Sequence, residues 1–284
     1  MDHVTTPLCA SCGKTLTAEY CSHCGERKFD HHALSLTHFA EHAFEAFSHF
    51  DMAILRTLKT LVMAPGRLTA DWALGCRKPY LPPVQFFLVM NLLFFITQSL
   101  NHWNTLTTNL DVHITGTAHK DLAREMVKER IAQRGIEYEN YRAVFDAKAA
   151  IQAKSMVILM VPVFSLAVAA LSFGMGRYAV EHLVFSLHYY SFFLLYLSVT
   201  SSVASVVLWG LRSAGIAPSD TAVDRVASSI MLVCLGGYLS LAIRAVYQNR
   251  LWVSVLKAGV LVGVSLGILY LYRFALFAVT FRST

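Results

Sequence analysis

Charged side chains are scarce in this chain. Asp, Glu, Lys and Arg make up 15% of its 284 residues, against about 25% in an ordinary soluble domain. That shortage argues against a soluble globular fold. The sequence has no internal repeat and no low-complexity tract. A large basic surplus is missing too: 24 Lys and Arg stand against 18 Asp and Glu, for a net charge of +6. Residues 1–82 balance eight bases against eight acids, so nucleic acid is not an expected partner. Nothing before residue 30 resembles the apolar core of a signal peptide, and the N-terminus is expected to stay in the cytosol. The central parts of the apolar runs carry no Asp, Glu or Lys, which weakens a proton- or ion-coupled transporter reading.

Apolar residues, by contrast, are abundant. They make up 55% of the chain, with mean hydropathy +0.49, and they gather in runs of roughly 20 residues, long enough to cross a bilayer. Five spans are expected, over 84–100, 155–173, 184–211, 226–247 and 255–281. The fold class that follows is all-α: a polytopic transmembrane helical bundle with a small N-terminal ribbon and amphipathic interfacial helices. Three regions result: 1–30 as the ribbon, 31–83 as juxtamembrane helices and a basic loop, and 84–284 as the membrane domain. Within the last, residues 101–154 carry eight bases and seven acids. They are expected to form an extracytoplasmic loop with a solvated helix from Asp121. The short loops carry Arg177, Arg212, Arg225 and Arg250. With a cytosolic N-terminus, five spans put the C-terminus outside, and the expected location is the cell inner membrane.

Residues 34–50 read as an amphipathic helix, with Leu36, Phe39, Ala43, Phe47 and Phe50 on one side. A second helical stretch covers 52–64 and ends at Pro65-Gly66. Arg56, Lys59, Arg67, Arg77 and Lys78 then face only Asp71 over residues 52–82. That basic flank is suited to anionic lipid.

Four of the six cysteines form Cys9-x-x-Cys12 and Cys21-x-x-Cys24. In a reducing compartment such pairs favour metal over disulfide. Tetrahedral Zn²⁺ takes four thiolates, so Cys9, Cys12, Cys21 and Cys24 are the expected ligands of a structural zinc ribbon with no open position for catalysis. Gly13 and Gly25 follow the two knuckles, where the turn needs positive φ. His23 lies inside the second knuckle, where four thiolates already suffice. His38-x-x-Glu41-His42 matches the inverted zinc-peptidase pattern. It equally completes the polar face of an amphipathic helix.

Arg177, Glu181, His182 and His188 gather at the cytoplasmic start of the third span. Arg177, Glu181 and His188 are spaced four and seven, so a helix stacks them on one stripe. They are the candidate catalytic or ligand-binding residues, weighed against an interfacial ion pair. Gly259, Gly263 and Gly267 form a small-residue ridge in the fifth span. Packing within the chain is the preferred reading of that ridge, and a homo-oligomer the other. Asn91, Gln98, Ser198, Thr200, Ser201, Ser202 and Ser205 can supply interhelical hydrogen bonds, and Pro162 is expected to kink the second span.

The order of these motifs resembles the uncharacterised bacterial membrane proteins grouped as domain of unknown function 3667. The matching pieces are the ribbon at Cys9–Gly25, Arg56-Thr57-Leu58-x-x-Leu61 with Pro65-Gly66, and Gly75-x-Arg77-Lys78-x-Tyr80-Leu81-x-Pro83. Pro162 within an apolar span and the run Tyr178–His188 complete the set. Cys76 before the basic pair and Tyr189 after His188 depart from the pattern. The resemblance implies an architecture and carries no activity.

The leading functional reading is a non-enzymatic membrane scaffold, adaptor or sensor. The lipid bilayer is one partner, and a cytosolic protein bound by the ribbon is the other. A membrane enzyme or ligand-binding protein using Arg177, Glu181, His182 and His188 is the first alternative. A transporter is the second.

Overall fold

The computed structural model describes residues 52–284 except 78, 102–104 and 216–218, together with residues 8, 13–15 and 20–23. It divides into two compact units, Met1–Ala53 and Ile54–Thr284. In the first, Leu8 and Thr15 form an isolated antiparallel bridge, Gly13 has φ 70°, and Cys21 is buried. Positive φ at Gly13 is the conformation a knuckle turn asks for. Cys9, Cys12, Cys24, Gly25, His38 and His42 lie outside the described residues, as does the expected helix over 34–50.

The second unit is helical among the described residues. Its helices are α1 (residues 54–63 within this unit), α2 (Arg67–Ala73), α3 (Pro83–Asn101), α4 (Leu110–Thr115), α5 (Lys120–Arg134) and α6 (Tyr138–Met156). They are followed by α7 (Met160–Leu171), α8 (Ala179–Ser213), α9 (Asp220–Tyr247) and α10 (Leu251–Ser283). Five stretches are long and apolar enough to cross a membrane: Pro83–Asn101, Tyr138–Leu171, Ala179–Ser213, Arg225–Tyr247 and Leu251–Ser283. Each contains or closely matches an expected span. The second runs longer than expected because α6 continues into α7 through a 3₁₀ turn at Val157–Leu159. Pro162 lacks the N–H that would bond the carbonyl of Ile158, and the ladder tightens where that bond is missing.

Aromatic and aliphatic side chains from α3, α7, α8, α9 and α10 fill one buried core, with Phe94, Phe164, Tyr189, Leu194, Leu239 and Leu276 at its centre. Phe164 stacks on Tyr189 with ring centroids 4.7 Å apart. Between apolar helices packing and polar bonds, rather than water exclusion, hold the bundle. Gln98 donates to Ser201 Oγ at 3.2 Å and Asn101 to Ser202 Oγ at 2.9 Å, both tying α3 to α8. Asn91 donates to the carbonyl of Lys154 at 2.8 Å. Ser198 and Thr200 instead return their hydroxyls to the carbonyls of Leu194 and Tyr196, one turn earlier in α8.

Residues 105–154 fold onto the far end of α10 rather than standing free in solvent. Arg130 lies 4.1 Å over the Phe281 ring, and Tyr141 Oη meets Thr284 Oγ1 at 3.0 Å. Thr280 donates to Gln152 at 2.6 Å, while Lys148 and Arg134 bond the carbonyls of Ser283 and Thr284. Asp111 accepts from Tyr138 at 2.5 Å and pairs with Arg142 at 3.1 Å.

Among the described residues nothing packs on the glycine ridge of α10, contrary to the preferred expectation. Gly259, Gly263 and Gly267 are exposed, and a Cβ built on any of them meets nothing within 4 Å. The faces of α10 that contact neighbours are those carrying Ala258, Leu261, Ile268 and Tyr272.

Candidate functional site

The site begins with two glycines that bracket α2. Pro65-Gly66 ends α1, and Gly66 then serves as the N-cap of α2 at φ 84°. A Cβ at Gly66 would lie 2.6 Å from the Ala242 carbonyl oxygen and 2.9 Å from both Ala242 Cα and Ala245 Cβ. Only glycine permits that backbone conformation and that approach to α9 together. Gly75, at φ 86°, turns the chain after α2, and the loop beyond it returns to α1. Its anchor is Thr57, fully buried, whose Oγ1 accepts from the backbone N–H of Leu81 at 3.0 Å. Pro82-Pro83 then starts α3, proline being suited to a first helical position, where its N–H is not needed.

Side chains on this bracket form a local network. Asp71 is held by Arg67 at 3.5 Å and by the Tyr80 hydroxyl, which donates at 2.9 Å. Burial and the Asp71 carboxylate both raise the Tyr80 phenol above its usual pKa, so it remains a donor. The Arg77 guanidinium carbon sits 4.2 Å from the Trp72 ring centroid, and Arg77 Nε donates to the Trp72 carbonyl at 3.4 Å. The indole thus fixes the cation through its ring quadrupole.

Against this network α8 sets His188, which is 6% exposed. Its Nδ1 lies 2.8 Å from Thr69 Oγ1 on α2, a contact spanning 119 residues of sequence. Its Nε2 has no hydrogen-bond partner among the described residues. Leu68, Trp72, Cys76 and Arg77 from α2 and the following turn wall a cleft of about 280 Å³ beside the imidazole. Tyr80 to Pro83, at the entry to α3, complete its lining.

The other three candidates gather elsewhere. Arg177 donates to Glu181 Oε2 at 2.9 Å and to the Val246 carbonyl at 2.8 Å. Glu181 Oε1 accepts from the Tyr178 backbone N–H at 3.3 Å, closing the first turn of α8. His182 Nδ1 meets Tyr247 Oη at 2.7 Å, and the two rings stack 12° from parallel. These contacts fasten the start of α8 to the end of α9. Of the helical stripe read from sequence, Glu181 and His188 lie on α8, whereas Arg177 precedes its N-cap Tyr178, and the members serve two places. Glu181 is neutralised and bonded through both oxygens, whereas His188, seven residues on, borders the cleft. Two residues escaped the sequence reading as site members, Thr69 and Trp72. The visible signal for them was the pair of glycines bracketing a short helix rich in polar and aromatic side chains.

Residues 51–95 match the model of a family described as Protein of unknown function (DUF3667). The match covers that segment alone. The matched residues run from before α1 to most of α3 and contain every residue lining the cleft except His188. The matched segment is thus the part that carries the bracket and its two glycines. The motif-like stretches at Cys9–Gly25 and Tyr178–His188 lie outside it. Comparison with curated proteins and with solved structures gave no match.

Proposed function

We propose that this membrane protein is a non-enzymatic sensor or adaptor that holds a ligand in the cleft between its DUF3667 segment and α8. The observation that carries this reading is His188. A buried imidazole, oriented at one nitrogen by Thr69 and without a hydrogen-bond partner at the other among the described residues, borders a cleft otherwise built from one local segment. Costly polar groups at membrane depth favour a functional reading. Binding is favoured over catalysis by the company His188 keeps. Among the described residues no carboxylate lines the cleft, and no hydrogen bond joins His188 to Cys76. A general acid–base pair or an activated nucleophile needs such a contact. The carboxylate nearest in sequence, Glu181, is engaged with Arg177.

The N-terminal unit supplies the second half of the proposal. Cys9, Cys12, Cys21 and Cys24 hold a structural Zn²⁺, and the resulting ribbon contacts a cytosolic protein that reads the state of the membrane unit. Spacing and thiolate chemistry support this. The positive φ of Gly13 and the bridge between Leu8 and Thr15, which flank the first pair, are in keeping with it. The N-terminus and the cleft then face the cytosol of a cell whose inner membrane holds the spans.

The test of the cleft fills it. Cys76 is exposed on the wall, so Cys76→Trp adds bulk there without disturbing the core. Full-length wild type and C76W are purified in mild detergent, and their organic extracts compared by mass spectrometry. The proposal expects a species retained by wild type and absent from C76W. Equal extracts overturn it.

A further inference from the structure

We propose that the cleft ligand bears a phosphate group, bound between Arg77 and His188, with an apolar portion against the neighbouring wall. This inference rests on the cleft being a ligand site, as argued above, and names the chemistry that the site selects.

Charge decides the first half. Among the described residues Arg77 is the formal cation lining the cleft, and no carboxylate shares the lining. Asp71 is consumed by Arg67 and Tyr80. Trp72 engages the face of the Arg77 guanidinium and its Nε, which leaves the two terminal nitrogens as a preset fork. A planar fork of this kind matches a phosphate oxygen pair. Across the cleft, His188 is more than nine-tenths buried, with Nδ1 committed to Thr69. When Thr69 donates its hydroxyl to Nδ1, Nε2 carries a hydrogen and becomes a second donor to the anion. Pro82-Pro83 adds a third element. Neither proline carries an N–H, but they bring the positive end of the 19-residue helix α3 to the cleft wall, where its dipole favours an anion.

Shape and position decide the second half. Leu68, Leu81 and Pro82 make the remaining wall apolar, which a wholly hydrated anion would not reward. At about 280 Å³ the space falls just below the ~300–1,000 Å³ of sites that enclose a drug-sized molecule. It accommodates a headgroup and its neck, leaving the chains outside. Pro83 is also the first residue of a membrane span, so the cleft sits at the depth where phospholipid headgroups meet hydrocarbon. A phospholipid headgroup is the source these features favour, and a water-soluble phosphate shares its chemistry.

The experiment uses the full chain in detergent with Trp103, Trp209 and Trp252 changed to Phe, leaving Trp72 as the single tryptophan beside the cleft. Its fluorescence is titrated with dioctanoyl-phosphatidylglycerol, with dioctanoylglycerol and with inorganic phosphate. The proposal expects saturable binding of the phosphatidylglycerol and a midpoint raised about tenfold or more by Arg77→Gln, the loss of one charge-assisted contact. Lys59→Gln removes an equal charge from an exposed position on α1 outside the cleft lining and should leave the midpoint alone. Inorganic phosphate binding as tightly as the phospholipid supports the phosphate assignment and overturns the lipid source. Dioctanoylglycerol binding equally well, with R77Q inert, overturns the phosphate assignment while the cleft stands as a ligand site. No saturable response to any probe overturns the phosphate assignment also. The C76W extract comparison then tells whether the ligand site falls with it.

Discussion

Replacing Gly66 by alanine perturbs the candidate site at its most constrained point. Two costs follow from the geometry. A non-glycine residue in the left-handed region costs roughly 1–2 kcal/mol. The new methyl would also stand 2.6 Å from a backbone oxygen and 2.9 Å from two carbons of α9; overpacking of that kind adds about 1–3 kcal/mol. Two of the three atoms met belong to the Ala242 backbone, so side-chain rotation relieves neither. Gly75 provides the control, because its φ of 86° matches that of Gly66 while its Cβ position is open. Gly75→Ala should therefore show the conformational cost alone, and G66A should exceed it by about 1–3 kcal/mol. Ala245→Gly, which removes one of the three contacts, should recover part of the difference. Unfolding of the full chain in mixed micelles with rising dodecyl sulfate gives all four stabilities. Equal losses for G66A and G75A would refute the close approach of α2 to α9 on which the cleft depends.

Other consequences can be checked separately. Arg177→Met strands the Glu181 carboxylate, whose side chain is 11% exposed, and should cost about 1–3 kcal/mol; Glu181→Gln should cost less, because Arg177 keeps its bond to the Val246 carbonyl. Neither variant should lose the species retained by the cleft, and its loss from a stably folded E181Q would return Glu181 to the binding site. In the segment folded onto α10, burial, helped by the nearby His119 and Arg273, lowers the pKa of His113 from 6.5 to about 3. The unfolded chain then takes up a proton that the fold refuses, so stability is full above pH 6.5 and declines as pH falls toward 3. His113→Leu should flatten that decline by up to about 1.4 kcal/mol per pH unit, and unchanged slopes between pH 6 and 4 would contradict it. Metal analysis should find about one zinc per chain, following a single four-thiolate site. That zinc should disappear in Cys9→Ser and persist in His38→Ala and His42→Ala; its loss from either histidine variant would point to the H-x-x-E-H pattern instead.

Spans were legible in the sequence because hydropathy over about 20 residues reports one physical requirement, the satisfaction of backbone groups in hydrocarbon. The five expected segments accordingly recur in the structure with shifted ends. Gln98 was readable as an interhelical donor for the same reason. The site was half legible. Spacing placed Glu181 and His188 on one stripe of α8, but spacing cannot show that Arg177 reaches the Val246 carbonyl or that Thr69 meets His188, contacts 69 and 119 residues apart. Nor could the ridge at Gly259, Gly263 and Gly267 reveal that it faces away from its own chain, since small residues permit a close approach without supplying a partner. Gly66 lay between these cases: Pro65-Gly66 marked a helix end, yet its contact with Ala242 belongs to tertiary structure alone.

The account turns on whether the cleft beside His188 holds a molecule in the protein as purified. Cys76 is exposed on its wall, so an alkylating reagent reads the cleft directly. Maleimide labelling of the full chain, mapped by peptide mass spectrometry, should be slow at Cys76 and accelerate after exhaustive delipidation. Readdition of phosphatidylglycerol should slow it again in wild type and leave it unchanged in R77Q. Labelling of Cys76 that ignores both treatments would contradict an occupied cleft.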